Sequence, residues 1–192
     1  IHPIYYFGSE EQKEKYLPKM IKGNLIGCFG LTESVSGSDP SSMETNFEEV
    51  SDGYIINGSK NWITNAPIAD VFIIWAFNKE KKVHGFIVDK NTKGLTTEKI
   101  NKSSIKIAQA GKIFLKDVKI PKNSILPNTN GWKSIYSCIN KARYGIAWGA
   151  MGAAETCWLI AKDYSEKRII NKKPLASKQL VQKKLADMLT EV

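Results

Sequence analysis

The sequence predicts an α+β chain: a short helix, a β domain of barrel or sandwich type, then two helices of an incomplete bundle. Three observations carry this expectation. Ser9-Glu10-Glu11-Gln12 has the form of a capping box. From Glu44 to Pro121, turn residues recur between short β-rich runs. From about Trp132 to Lys167 a helical pattern continues without proline, enough for a helix on the order of 50 Å long.

In chain order, the capping box opens a helix directed toward Tyr16, which Pro18 is expected to end. Leu25 to Leu31 reads as an apolar strand leading into the loop Thr32 to Pro40. Turns are expected at Ser51-Asp52-Gly53, Asn57-Gly58, Asn65-Ala66-Pro67, Asn91 to Gly94 and Gly111, with strands at Val71 to Phe77 and His84 to Asp89. Gly145, Gly149 and Gly152 lie near one face of the long helix, which suggests close helix packing or a nearby ligand. Pro174 breaks the pattern, and Gln179 to Glu191 resumes it with Leu180, Leu185, Met188 and Leu189 apolar. The pieces are therefore 1–24, the end of a helical domain; 25–127, a β domain; and 128–192, the start of a helical bundle. Exposed apolar helix faces suggest the middle of a longer protein.

The net charge of +9 is distributed along the 192 residues, and no groove-reading motif accompanies it. A solvated, lysine-rich surface that attracts a polyanion suits it better than nucleic-acid binding. Cys28, Cys138 and Cys157 have no CxxC spacing, and with only His2 and His84 neither a metal site nor Ser-His-Asp chemistry is indicated. The apolar run Tyr144 to Ala161 contains Glu155 and much Gly and Ala, and reads as a buried helix rather than a membrane span. No secretory leader is read at Ile1 to Phe7.

Two segments carry the chemistry. Cys28 to Met43, CFGLTESVSGSDPSSM, places Thr32 and Glu33 before a hydroxyl-rich turn, Ser36-Gly37-Ser38, with backbone N–H groups expected to be free. Ser59 to Asn65, SKNWITN, sets Trp62 two residues before Thr64, so on a strand both side chains would face one way. A flat apolar ring beside a hydroxyl suits a planar heteroaromatic ligand. Together with Ala66 to Phe72, Asn140 to Ala154 and Gln179 to Glu191, these segments resemble the acyl-CoA dehydrogenase family, and within it most the glutaryl-CoA branch.

That resemblance implies an N-terminal helical domain, a middle β domain and a C-terminal four-helix bundle, with FAD between the last two. Phe29, Leu31, Thr32, Gly37, Ser38, Trp62, Ile63 and Thr64 would contact the flavin, Thr32 at the isoalloxazine edge and Thr64 toward N5. Ser38, Tyr136, Asn140 and Arg143 would contact acyl-CoA. Arg168 and Gln179 would reach the FAD of a neighbouring subunit in a homo-oligomer, a tetramer in the family. An electron-transfer flavoprotein would take the electrons. The catalytic base, a Glu, is expected beyond Val192, and no metal or membrane is implied. The compartment would be the mitochondrial matrix or bacterial cytoplasm.

Composition bears on the same positions. Of 28 Lys and Arg residues only Arg143 and Arg168 are arginines, and both fall where the resemblance places phosphate or carbonyl ligands, suited to a planar fork. Departures are Ser34 in place of a proline, Lys106-Ile107-Ala108 in place of Arg-Ala-Ser, and Asn171-Lys172 in place of Phe-Gly. The expected function is a segment of an FAD-dependent dehydrogenase of acyl-CoA, inactive alone. The alternative is a non-catalytic binding module that keeps the fold.

Overall fold

The computed structural model describes all residues, Ile1–Val192. Two helices open it, α1 (His2–Phe7) and α2 (Glu10–Ile21). The Ser9 hydroxyl accepts from the Gln12 amide at 3.2 Å, and the Gln12 side-chain oxygen accepts from the Ser9 amide at 3.0 Å. The other half of that side chain has a tertiary role. Gln12 Nε2 donates to the Asn123 carbonyl at 2.7 Å and to the Ile125 carbonyl at 2.8 Å. Glutamate is normally as good as glutamine at this capping position. Here Gln12→Glu would set a buried carboxylate against two carbonyl oxygens, and should cost about 2–3 kcal/mol in a urea titration. A neutral result would show that the cap alone matters.

Pro18 does not end α2, which continues to Ile21. It removes one i→i−4 bond, and the acceptor deprived of a donor is on the exposed residue Glu14, where water can replace it.

The β domain is one seven-stranded sheet: β1 (Gly27–Gly30), β2 (Asn46–Val50), β3 (Gly53–Thr64), β4 (Val71–Phe77), β5 (Val83–Asp89), β6 (Leu95–Ile100) and β7 (Ala110–Pro121). The order is β1-β4-β2-β3-β7-β6, with β5 against β4. Most pairings are antiparallel, but β4 runs parallel to both β1 and β2. Phe47, Ile56, Phe72, Ile74, Phe86, Ile113 and Val118 form its main apolar cluster. All seven residues of β4 are buried, so it reads as a continuous apolar run rather than an alternation.

Two expected turns are instead features inside strands. Asn57-Gly58 lies within β3 at a register shift against β7. Gly58 has φ +143°, and a Cβ there would meet Thr45 at 2.5–2.8 Å. The Asn57 side chain brackets Asp117, accepting from its amide at 2.8 Å and donating to its carboxylate at 3.2 Å. Gly111 lies within β7, where a Cβ would meet the Glu98 carbonyl oxygen at 2.7 Å and Pro67 at 2.8 Å. In both places glycine marks close approach, not reversal.

The chain forms two compact units, Ile1–Tyr136 and Ser137–Val192. The long helix α3 (Gly131–Lys167) is followed by a hairpin, β8 (Ile169–Ile170) with β9 (Lys173–Pro174), and by α4 (Gln179–Glu191). Asn171 and Lys172, at φ 49° and 63°, give the hairpin its two left-handed turn residues. Trp158 Nε1 donates to the Leu185 carbonyl at 3.0 Å and ties α3 to α4. A Cβ added at Gly145, Gly149 or Gly152 would meet nothing within 4 Å, so no other element of their own unit packs against them. Tyr144, Ile146, Trp148, Leu159, Ile160 and Leu180 are exposed. No helix is long and apolar enough to cross a membrane.

Candidate functional site

The loop after β1 and the end of β3 are gripped together, residue against residue. Lys60 Nζ donates to the Leu31 carbonyl at 3.2 Å and to Glu33 Oε1 at 2.8 Å. The Asn61 amide donates to the Thr32 carbonyl at 2.8 Å, and Asn61 Nδ2 donates to the Ser34 hydroxyl at 3.2 Å. Two residues of β3 thus hold four consecutive residues of the loop. Glu33 also accepts from the Glu44 amide at 2.6 Å and the Thr45 amide at 3.1 Å, tying the far end of the loop to the same point.

Sequence reading passes over this pair, because a Lys and a Glu in a charged chain look like surface residues. Their side chains are 0% and 5% exposed. Loss of hydration is the largest influence on Lys60 and lowers its pKa to about 8, against the opposing pull of Glu33. Burial would raise the Glu33 carboxyl, but the Lys60 charge and the Glu44 and Thr45 bonds outweigh it and hold it below its ordinary value. Glu33 therefore contributes stability that is present above the carboxyl's unfolded pKa and lost as pH falls through the folded one.

The grip leaves several polar groups without partners. The hydroxyls of Thr32, Ser38 and Thr64 make no hydrogen bond within the protein, whereas Ser36, expected from sequence to be a free donor, gives its amide to the Glu33 carbonyl and its hydroxyl to the Asp39 carbonyl. The amides of Gly37 and Ser38 remain unclaimed. Ile63 is 3% exposed and anchors the strand, while Trp62 beside it is 57% exposed.

Trp62 and Thr64 are both exposed, but not because an unbroken strand alternates. Trp62 has φ 58°, and the register against β7 shifts between Lys60 and Ile63. This bulge re-aims the indole. Trp62 borders a shallow hollow with Asn61, Lys99 and Lys112, whereas Thr64 borders another with Cys28 and Phe29. Phe29 is half-buried against Trp75, with ring centroids 5.9 Å apart, and Leu31 is buried. Burial pushes the Cys28 thiol up to about 12, which removes it as a nucleophile.

On α3, Tyr136, Asn140 and Arg143 follow one another at helical spacing, and all three are exposed. Arg168 follows α3 directly, its amide bonded to the Tyr164 carbonyl and its own carbonyl accepting from Leu175 at 2.7 Å. Gln179 begins α4. Arg168 and Gln179 thus flank the β8–β9 hairpin in the second unit, and both are exposed.

Comparison with known proteins matches three family descriptions in chain order: Acyl-CoA dehydrogenase, N-terminal domain, at residues 1–24; middle domain at 28–118; and C-terminal domain at 129–192. A glutaryl-CoA dehydrogenase from Mycobacterium smegmatis, solved in complex with FADH2, superposes with a TM-score of 0.94 at 40% identity, over 98% of this chain and 49% of that one. The short-chain specific acyl-CoA dehydrogenase of Megasphaera elsdenii is 38% identical over all of this chain and 52% of its own length. A structure described as the electron transferring flavoprotein of Acidaminococcus fermentans, in work on flavin-based electron bifurcation, gives a TM-score of 0.93 at 33% identity, over 98% of this chain and 51% of the matched one. The chain spans about half the length of the relatives it matches.

Proposed function

This chain belongs to the acyl-CoA dehydrogenase family, and from that premise we propose that it is the flavin- and CoA-contacting part of an enzyme that dehydrogenates a short acyl-CoA between its α and β carbons. The observation that carries this reading is the clamped loop. Its own hydrogen bonds fix its backbone, yet the Thr32, Ser38 and Thr64 hydroxyls and the Gly37 and Ser38 amides are unclaimed, and the Trp62 ring is bare. Such a set fits FAD, whose isoalloxazine offers a planar ring with hydrogen-bonding edges. When bound, FAD would supply the acceptor for the β-hydride.

The residues of the chain bind and orient. Thr32, Gly37 and Ser38 offer donors to the flavin edge, Trp62 covers a ring face, and Thr64 offers its hydroxyl toward N5. Tyr136, Asn140 and Arg143 take the CoA portion, the guanidinium serving phosphate better than an ammonium would. Removal of the α-proton falls to a Glu outside these residues. Glu33 is unsuited to it, being buried, ion-paired and held anionic by the Lys60 ammonium and two backbone amides.

Glutaryl-CoA is the first substrate to test, supported by the M. smegmatis likeness, with butyryl-sized acyl-CoA second, supported by the M. elsdenii one. In the glutaryl branch decarboxylation to crotonyl-CoA would follow. Reoxidation by an electron-transfer flavoprotein and assembly as a homo-tetramer, with Arg168 and Gln179 on the neighbour's FAD, complete the reading. A non-catalytic binding module is favoured by one observation: Asn171 and Lys172 put no aromatic at the hairpin tip.

The visible spectrum of the purified chain with added FAD tests the first step. A flavin band that survives gel filtration is expected, and Trp62→Ala should weaken FAD binding about tenfold, the loss of one aromatic contact. A chain that stays colourless favours the non-catalytic module.

A further inference from the structure

We propose that Lys60 and Glu33 are a positioning pair that sets the shape of the flavin-facing loop, a role that rests on reading this chain as a flavin holder. Three features of the geometry point to it. The pair straddles Thr32: the ammonium binds the carbonyl of the residue before it and the carboxylate of the residue after it. The neighbouring Asn61 takes the Thr32 carbonyl itself and the Ser34 hydroxyl. The bulge that turns Trp62 outward begins where Lys60 turns inward, between the register pairs Lys60/Ile113 and Ile63/Gly111.

One buried cation therefore relates the two halves of the ligand cradle. On one side are Thr32 and the turn carrying Gly37 and Ser38; on the other are Trp62 and Thr64. The Lys60 ammonium also lies 3.6 Å from Met43 Sδ, and Glu33 holds the amides of Glu44 and Thr45, so the loop is closed at its exit as well as its entry. A buried ion pair is weak evidence for stability, since well-packed apolar residues often serve as well, but it does define one geometry. The Lys60 side chain is fully enclosed and that of Glu33 only 5% exposed, so both act through Thr32, Ser34 and Trp62 and not on a ligand directly.

Two variants of the 192-residue chain test this. Lys60→Met alone leaves an unpaired buried carboxylate and could unfold the unit. Lys60→Met with Glu33→Gln removes both charges, keeps the volumes and leaves a Gln oxygen to accept from Glu44 or Thr45, so it is the decisive variant. Added FAD, followed by flavin fluorescence, should bind the double variant at least tenfold more weakly than the parent, with a cooperative thermal transition kept at a lower midpoint, because the Gln NH2 cannot accept from the second of the two amides. Amide hydrogen exchange of Asn61, Glu44 and Thr45 should quicken at least tenfold, with β4 and β5 amides unaltered. Unchanged exchange at Asn61, or unchanged FAD affinity in a parent that binds FAD, overturns the proposal. A parent that binds no FAD while the variant's exchange quickens overturns the flavin reading and leaves the pair as the determinant of the loop.

Discussion

Replacing Glu33 by Ala should lower stability by about 3–5 kcal/mol near pH 6, the usual cost of leaving one partner of a buried pair behind, and by less as the pH rises toward 8. The first part follows from burial: Lys60 has no exposed side-chain surface, and its other contacts are one carbonyl and one thioether. The second follows from proton linkage. An unfolded lysine keeps its proton to about its ordinary 10.5, whereas folded Lys60 releases it near 8. Between those values the unfolded chain binds more protons, so this group's contribution to stability rises with pH. Glu33 is what opposes desolvation. Without it the folded value falls further and the window extends below 8, so the variant regains ground on the parent between pH 6 and 8. Urea titrations at pH 6, 7 and 8 would measure this. A deficit constant across that range would mean that the ammonium had found another partner or reached water.

Trp75 should give the other large effect, and a contrast between two substitutions separates its causes. Trp75→Ala is expected to cost about 3–5 kcal/mol, because it empties a large, fully enclosed site. The indole is 0% exposed, lies opposite Gly85 on β5, and packs against Phe29. A Cβ on Gly85 would come within 3.1–3.2 Å of its six-membered ring. The neighbouring strand is thus shaped around the side chain. Trp75→Phe should cost only about 1 kcal/mol in lost volume, since the indole Nε1 has no hydrogen-bond partner to lose. A Phe variant as damaged as the Ala variant would show that the site cannot close around the smaller ring. Because Phe29 rests on Trp75, the Ala variant should also disturb the hollow beside Thr64.

Much of this molecule is legible in its sequence because the deciding forces are local. The capping box at Ser9 closes as its residues imply, since both bonds join residues three apart. The strand Val71–Phe77 and the helix Gln179–Glu191 lie where apolar pattern and flanking breakers place them. Segment likeness also suffices for the family, because Thr32, Trp62 and Thr64 stand in short motifs that survive without knowledge of contacts.

What the sequence could not settle depends on residues distant along the chain. Asn57-Gly58 looks like a turn in isolation, and becomes a bulge because Thr45, just before β2, and Asp117 on β7 crowd it. Pro18 looks like a stop, and is tolerated because the carbonyl it leaves unpaired is on an exposed residue. Lys60 and Glu33 are charges that composition assigns to the surface. They are buried because, 27 positions apart, each supplies the countercharge that makes the other's burial bearable. Local propensity and motif thus determined the elements and the family. Tertiary contact alone decided which charges were enclosed, and with that how the loop at Thr32 is held against the strand that carries Trp62.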